Sequence, residues 1–212
     1  MNLKIKKVTF TVTGILLGIG LTVGITGAYL WDATGEIRNV VTAGSVKAEL
    51  LEEHWNPLKG EKIYPGQILK KDPVVKNTGT NEANVFLEVE IPMAEISIVD
   101  TYSNQKLPAK NVELFTFLAE ESEWTLLFQK QERNVKTYVY GYRKLLKPGE
   151  TTAPLFERIT MVNYLEGELD PTETYEMPVK AKVIQTQSKE KSLKEIYQDY
   201  LEQQEADEEG SL

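Results

Sequence analysis

The hydrophobic pattern of the chain takes three forms in turn. Residues 8–31 run for 24 positions without a charged side chain, behind a short basic head of Lys4, Lys6 and Lys7. From about residue 46 the pattern alternates apolar and polar, the period-two signature of half-buried strands. The clearest case is 83–91, where Ala83, Val85, Leu87, Val89 and Ile91 point one way and Asn84, Glu88 and Glu90 the other. Phe86 is the exception on the polar face. Near residue 192 the period becomes helical. Ser192 and Glu195 form a capping box, and Leu193, Ile196, Tyr197, Tyr200 and Leu201 follow as one apolar stripe.

Between these landmarks the alternation predicts a series of short strands. They lie at 46–50, at 68–76 with an interruption at Pro73, at 83–91 closed by Pro92, and at 96–99 and 112–118. Residues 123–130 and 135–146 read as a hairpin around 131–134, 151–162 as a returning strand, and 175–183 as an edge strand carrying Pro178. Turns are marked by Asn56-Pro57, Pro65-Gly66, Asn77-Thr78-Gly79 and Pro148-Gly149. In a Pro-Gly pair the proline fixes φ and the glycine supplies a positive φ. Short strands with a turn every 8–12 residues predict an all-β chain, an antiparallel jelly-roll-like β-sandwich with a short C-terminal amphipathic helix.

The opening run has two readings. A basic head and an apolar core suit a secretory signal, and a run of this length also suits a membrane-spanning helix. Small residues at Thr26 and Ala28 place the expected signal cleavage between Ala28 and Tyr29. The expected organisation is a signal peptide over 1–28, an N-terminal arm over 29–43, a β-sandwich over 44–187, a helix over 188–204 and an acidic disordered tail over 205–212. The membrane is then met only through residues 8–31 before cleavage. The alternative is an uncleaved anchor.

Charge and composition narrow the chemistry. Removing residues 1–28 takes away three lysines and no acid, so the formal charge moves from −8 to −11. Such a chain has no electrostatic reason to bind nucleic acid. With no cysteine, a thiol nucleophile, a Cys-ligated zinc and an iron–sulfur cluster are excluded. Glu52 and Glu53 are adjacent and face opposite sides of a strand, so they make no carboxylate pair. The acidic runs 120–123 and 205–209 lack the spacing of a calcium loop, although weak Ca²⁺ binding stays open. Tyr138, Tyr140 and Tyr142 share one strand face, as half of a core or as an aromatic platform.

Four segments, in order, resemble the camelysin/TasA-like family of exported bacterial matrix proteins with a SipW-type signal peptide. The first is the Gly- and Thr-rich leader ending in Thr26-Gly-Ala-Tyr-Leu-Trp-Asp32. The second is Thr42-Ala-Gly-Ser-Val-Lys-Ala-Glu-Leu50, similar to a first core strand of the form TAGxLxxxL. The third is residues 65–85, similar to PGxxxxKxxxxxNxGxxxxxV. The fourth is Tyr138-Val-Tyr-Gly-Tyr142 with the segment 146–156, similar to YYY…LxPGExTxPLF. Together they span residues 1 to about 185. The resemblance implies a jelly-roll domain, processing by a dedicated signal peptidase, secretion, and a role in the cell surface or extracellular biofilm matrix, often as fibres. The chain departs from the large fibre-forming members in its shorter loops and its capped helix.

Some relatives in that family carry a metalloprotease label. A zinc protease needs paired imidazoles at helical spacing, and this chain has one histidine, His54, in a turn. No catalytic residue, metal ligand or cofactor is therefore expected, and the chain is read as a non-enzyme. The expected function is a structural surface or matrix protein whose arm, freed by cleavage, completes the sheet of a neighbour. Leu30, Trp31, Ile37, Val40 and Val41 are the candidate assembly residues. The expected partners are a second copy or another matrix protein. The alternative is a membrane-anchored or shed monomeric binding or regulatory module.

Overall fold

The computed structural model describes residues 38–39, 46–55, 63–100, 102–170, 173–185 and 191–209. All of them belong to the compact unit Asp32–Leu212. The described residues are mostly β-strand in antiparallel sheets, followed by one C-terminal helix.

The centre is β5, Asn84–Ile96, a strand of 13 residues. Its first half is paired on one side by β11 (Val179–Ile184) and on the other by β9 (Val135–Tyr142). Its second half is paired by β6, Lys110–Glu113. β8 (Trp124–Glu132) continues the sheet beyond β9, and the two-residue β1 (Arg38–Asn39) lies in parallel beside β11. A second sheet has the order β3 (Ile68–Lys70), β10 (Arg158–Met161) and β7 (Phe115–Phe117). A third pairs β2 (Ala48–Leu51) with β4 (Val74–Asn77).

All three sheets contribute to one apolar core. Val85, Leu87, Val89 and Ile91 of β5 are fully buried in it with Ala48, Leu69, Val75, Phe115, Ile159, Ala181 and Val183. Trp124 lies at the start of β8 against Tyr142, with ring centroids 5.0 Å apart, and its indole N–H donates to the Ala153 carbonyl at 3.1 Å. Burying an aromatic of this size requires a partner for its polar edge, and Ala153 supplies it. Tyr140 and Tyr142 are core residues, and half-buried Tyr138 packs against the same cluster. The tyrosine row is thus the inner face of β9 and not a platform.

The helix α1 covers Leu193–Glu209. The capping box forms as its sequence predicts. Ser192 Oγ accepts from the Glu195 N–H, and the Glu195 carboxylate accepts from the Ser192 N–H at 2.8 Å. Ile196, Tyr197 and Tyr200 make a second apolar cluster with Phe86 and Val139. Phe86 is therefore no irregularity: it is the apolar residue that the outer face of β5 presents to the helix.

Several sequence expectations are corrected. Pro92 does not close its strand. It has no N–H to offer, but it lies opposite Val135, and its carbonyl accepts from the Leu114 N–H at 2.9 Å, so β5 runs on to Ile96. The segment 68–76 is two strands in different sheets, and 112–118 breaks at buried Leu114, where the chain crosses between sheets. Only Arg158–Met161 of the segment 151–162 is a strand. Pro178 lies just before β11, where its carbonyl accepts from the Glu90 N–H at 3.0 Å. The helix passes the expected end at residue 204 and takes in 205–209 of the expected disordered tail, since glutamate is itself a good helix former. Leu201, expected in the buried stripe, is 38 % exposed.

Candidate functional site at the β11 edge and the helix-covered face

β11 alternates strictly. Val179, Ala181 and Val183 enter the core, while Lys180 and Lys182 stand on the outer face beside the glutamates of β5. Lys180 pairs with Glu90 at 2.9 Å. Lys182 pairs with Glu88 beneath the helix, where the two side chains are only 13 % and 12 % exposed. Two charges this buried require further partners. The Tyr197 hydroxyl donates to the Glu88 carboxylate, and the Lys182 ammonium lies 5.1 Å from the centre of the Tyr200 ring and 5.8 Å from that of Tyr197. Burial first, then the Glu88 charge, pushes the Tyr197 phenol far above its ordinary range. At neutral pH Tyr197 is therefore a fixed donor, and α1 is joined to the β5–β11 ladder by charge as well as by apolar contact.

Beside the helix the outer face continues as a groove of about 950 Å³. Tyr197 and Leu201 form the helix wall, Phe128 and Val139 part of the floor, and Arg133 the far end. Arg133 takes a positive φ of 51° at the tip of the β8–β9 hairpin. Acids and bases in the groove balance: Glu88, Glu90 and Glu132 face Lys130, Lys182 and Arg133.

The other side of β11 carries β1. Arg38 is opposite Lys182 and Asn39 opposite Val183, running parallel. These two residues belong to the segment expected to be an arm, so within one chain part of the arm lies along the chain's own sheet. The expected leader 1–28 and the candidate residues Ala28, Tyr29, Leu30, Trp31, Ile37, Val40 and Val41 fall outside the described residues. Among the described residues, Asn84 Nδ2 and Gln185 Oε1 are buried without a hydrogen-bond partner, one at the start of β5 and the other just past the end of β11.

The remaining candidates are brought together differently. His54 is exposed in a turn. Its Nδ1 lies 2.5 Å from Asp72 Oδ2, and its backbone N–H donates to Asp72 Oδ1 at 3.0 Å. Glu52 instead pairs with Lys71 at 2.7 Å, and that ammonium lies 4.7 Å from the centre of the Trp55 ring. These contacts pin the end of β2 to the β3–β4 link. Among the described residues, no three His, Cys, Asp or Glu side chains converge as metal ligands, and no helix is long and apolar enough to cross a membrane. In the acidic run 120–123, Glu123 is held by Lys144 at 2.8 Å and Glu120 by Ser122 at 2.6 Å.

The Lys182–Glu88–Tyr197 contact was not legible as a unit. Its signal was the run of Glu88 and Glu90 on one strand and Lys180 and Lys182 on another, but pairing them requires knowing that β5 and β11 are neighbours. Comparison with family models, with curated protein sequences and with solved structures returns no match for this chain.

Proposed function

We propose that the chain is a secreted structural protein of the cell surface or biofilm matrix, similar in kind to the camelysin/TasA-like proteins, and that it works by assembly and not by catalysis. In this reading the β-sheets make a jelly-roll-like sandwich, which the sharing of one core by all three sheets supports. Residues 1–28 act as the export signal, cut between Ala28 and Tyr29 by a signal peptidase. The arm that follows is the assembly element, through Leu30, Trp31, Ile37, Val40 and Val41. In an extended arm Ile37 and Val41 share one face, as the period of two requires.

The observation that carries this reading is the placement of Arg38 and Asn39 as a strand along β11. A stretch of sequence that pairs with this edge within one chain has the backbone geometry to pair with the same edge in another. Edge addition supplies main-chain hydrogen bonds for affinity and alternate side chains for specificity. The test compares protein beginning at Tyr29 with protein beginning at Gly44, by light scattering and electron microscopy. We expect assemblies only from the longer form. Equal assembly by both, or monomers from both under all conditions, rejects the arm. Mass spectrometry of the mature N-terminus in cell, wall and medium fractions tests the cut and the location.

A second reading, a membrane-anchored or shed monomeric binding module, is favoured by the groove beside α1. Its sign would be a monomeric protein in the membrane or medium whose partner binding is lost on Leu201→Asp.

A further inference from the structure

We propose that the groove beside α1 binds a free fatty acid, with its acyl chain along the outer face of β9 and its carboxylate on Arg133. The inference goes beyond the assembly reading and does not depend on the arm. Its first support is the backbone of Arg133. The β8–β9 hairpin has two residues at its tip, Arg133 and Asn134, and the first takes a φ of 51°. That place in a two-residue hairpin favours glycine, which adopts a positive φ without steric cost. An arginine there is strained, and strained residues cluster at ligand clamps. The tip thus holds a side chain that the turn itself does not favour.

The second support is charge. Acids and bases in the groove balance in number but not in pairing. Lys182 pairs with Glu88, Lys130 with Glu132, and Glu90 with Lys180 on β11. Among the described residues, Arg133 is the cation of the groove without a carboxylate partner. A guanidinium stays charged and offers paired N–H donors that match a carboxylate. The chain as a whole is acidic, so an anionic bilayer would meet repulsion over a wide area. A single carboxylate at the tip meets Arg133 alone.

The third support is the shape and chemistry of the floor. Tyr197 packs on Phe128 with ring centroids 5.7 Å apart, and Phe128 lies opposite Val139. From there β9 presents Thr137 and Val135 to the groove on the way to the tip, with Leu201 along the side. Four residues of strand span roughly 14 Å, a length that a dodecanoyl or tetradecanoyl chain covers. The volume of about 950 Å³ suits a small-molecule site. An extended peptide fits this floor less well. Each of its residues brings an N–H and a C=O that need partners, whereas β5 and β9 are already hydrogen-bonded to strands on both sides. An acyl chain brings no such groups and needs one anion site at its end.

The test uses protein from Tyr29 onward, which retains the whole compact unit Asp32–Leu212. Tetradecanoate below its micelle concentration is titrated by calorimetry, beside tetradecanol (the chain without the charge) and butanoate (the charge without the chain). We expect one site for tetradecanoate and no measurable binding of butanoate. Tetradecanol should bind roughly 10–100-fold more weakly, the effect of losing one charged, hydrogen-bonded contact. Arg133→Gly should weaken tetradecanoate by the same factor while melting no lower than the parent, because glycine relieves the turn. Arg133→Asn, which also tolerates this φ, repeats the comparison should Arg133→Gly loosen the hairpin. Arg133→Lys keeps a cation and should bind more tightly than either. Leu201→Asp should weaken binding through the wall.

No binding of tetradecanoate up to its solubility overturns the inference. So does equal affinity of the parent and the Arg133→Gly and Arg133→Asn variants, or equal affinity for tetradecanoate and tetradecanol. Capture by phosphatidylglycerol vesicles without binding of free tetradecanoate also overturns it, since the face would then be a membrane contact. None of these results touches the arm reading, which fails separately if protein beginning at Gly44 assembles as well as protein beginning at Tyr29.

Discussion

The side-chain amide of Asn77 donates to the carbonyl oxygen of Leu146 at 2.8 Å, in a site closed to solvent. The same amide donates to Asn81 O at 2.9 Å, and its oxygen accepts from the Gly79 N–H at 2.9 Å. The Asn77 backbone N–H reaches Glu150 O, and its carbonyl accepts from Gly149. One residue thus joins the turn after β4 to the Pro148-Gly149 turn. Asn77→Ala removes three hydrogen bonds, but the Leu146 carbonyl keeps the Ala83 N–H and the Gly79 N–H keeps the Lys47 carbonyl, so the Asn81 carbonyl is the group that loses its donor. We expect a loss of about 1–3 kcal/mol in chemical denaturation. Asn77→Asp keeps the acceptor but aims a carboxylate at two carbonyl oxygens, and should cost more than Asn77→Ala.

The buried pair under the helix gives a sharper contrast. Tyr197→Phe removes a hydrogen bond to a charged group, for an expected cost of about 2 kcal/mol. Glu88→Gln leaves the Lys182 ammonium buried without its counter-charge, which costs roughly 3–5 kcal/mol. Replacing both ions, Glu88→Leu with Lys182→Met, removes the desolvation cost together with the attraction and should be near neutral or stabilising. A double-mutant cycle in urea measures the coupling. Additive single and double effects would show that the pair is not coupled as its geometry implies.

How much of this could be read from the chain depended on whether a signal was local. The alternation of 83–91, the β8–β9 hairpin and the capping box at Ser192 are local and appear as expected. Partner changes are not local. Pro92 is a strand-breaker by composition, yet it sits where β5 passes from β9 to β6, and the partner strands keep it in the sheet. Phe86 was visible as an anomaly, since no pattern within β5 requires an aromatic there. Its reason is Tyr197, far along the chain in α1, whose ring centroid lies 5.3 Å from that of Phe86. For the candidate site, nothing local in the sequence marked β11 as the neighbour of Arg38–Asn39, because β11 is an ordinary alternating strand until its neighbours are known.

Gly141 sets how closely the start of α1 approaches the sheet. A Cβ at this position would lie 3.1 Å from Leu127 Cδ1 and 3.2 Å from Leu193 Cδ1. Both neighbours are side-chain methyls, so Gly141→Ala requires shifts of a few tenths of an ångström and should cost little. Gly141→Val adds two further methyls to the same space, and overpacking of this kind costs about 1–3 kcal/mol. We expect Gly141→Val to loosen the helix before the sheet. Hydrogen exchange should then rise in Leu193–Glu209 while the β5 amides stay protected. Equal loss of protection in both would show that helix and sheet open together.

Alkaline pH should weaken the fold through groups that must stay protonated. Burial, with the charges of Tyr138, Glu121 and Glu113 after it, pushes the Tyr140 phenol up to about 12. The hydrogen bond to Glu113, then that to Tyr138, raises Lys136 to about 12. Tyr197 is raised further still. A folded value above the unfolded one gives stability that is whole below the unfolded value, near 10 for tyrosine and about 10.4 for lysine. That stability is lost as pH rises through the folded value. We therefore expect constant stability from these groups up to about pH 9, and a decline between roughly pH 10 and 12. Phenolate absorbance of the native protein should rise later than that of the urea-unfolded chain, and Tyr140→Phe should reduce the delay. Coincident titration curves would contradict the burial of these phenols.

Removing the helix tests whether it belongs to the fold or to a partner. Ending the chain at Gln187 deletes Ile196, Tyr197 and Tyr200 and uncovers Phe86 and Val139. Each large apolar side chain taken out of burial forfeits about 1.5–3 kcal/mol, and the total stability of a domain is only about 5–15 kcal/mol. Deletion also leaves Glu88 and Lys182 facing water, where their pairing contributes little. We expect a chain that binds a hydrophobic dye and melts without a sharp transition. Leu201→Ala is the control. That side chain is already at the rim of the groove, and its loss should move stability by no more than about 0.5 kcal/mol. A truncated chain that unfolds as cooperatively as the full chain would mean that the sheets hold their fold without α1, and that the apolar stripe serves an interaction elsewhere.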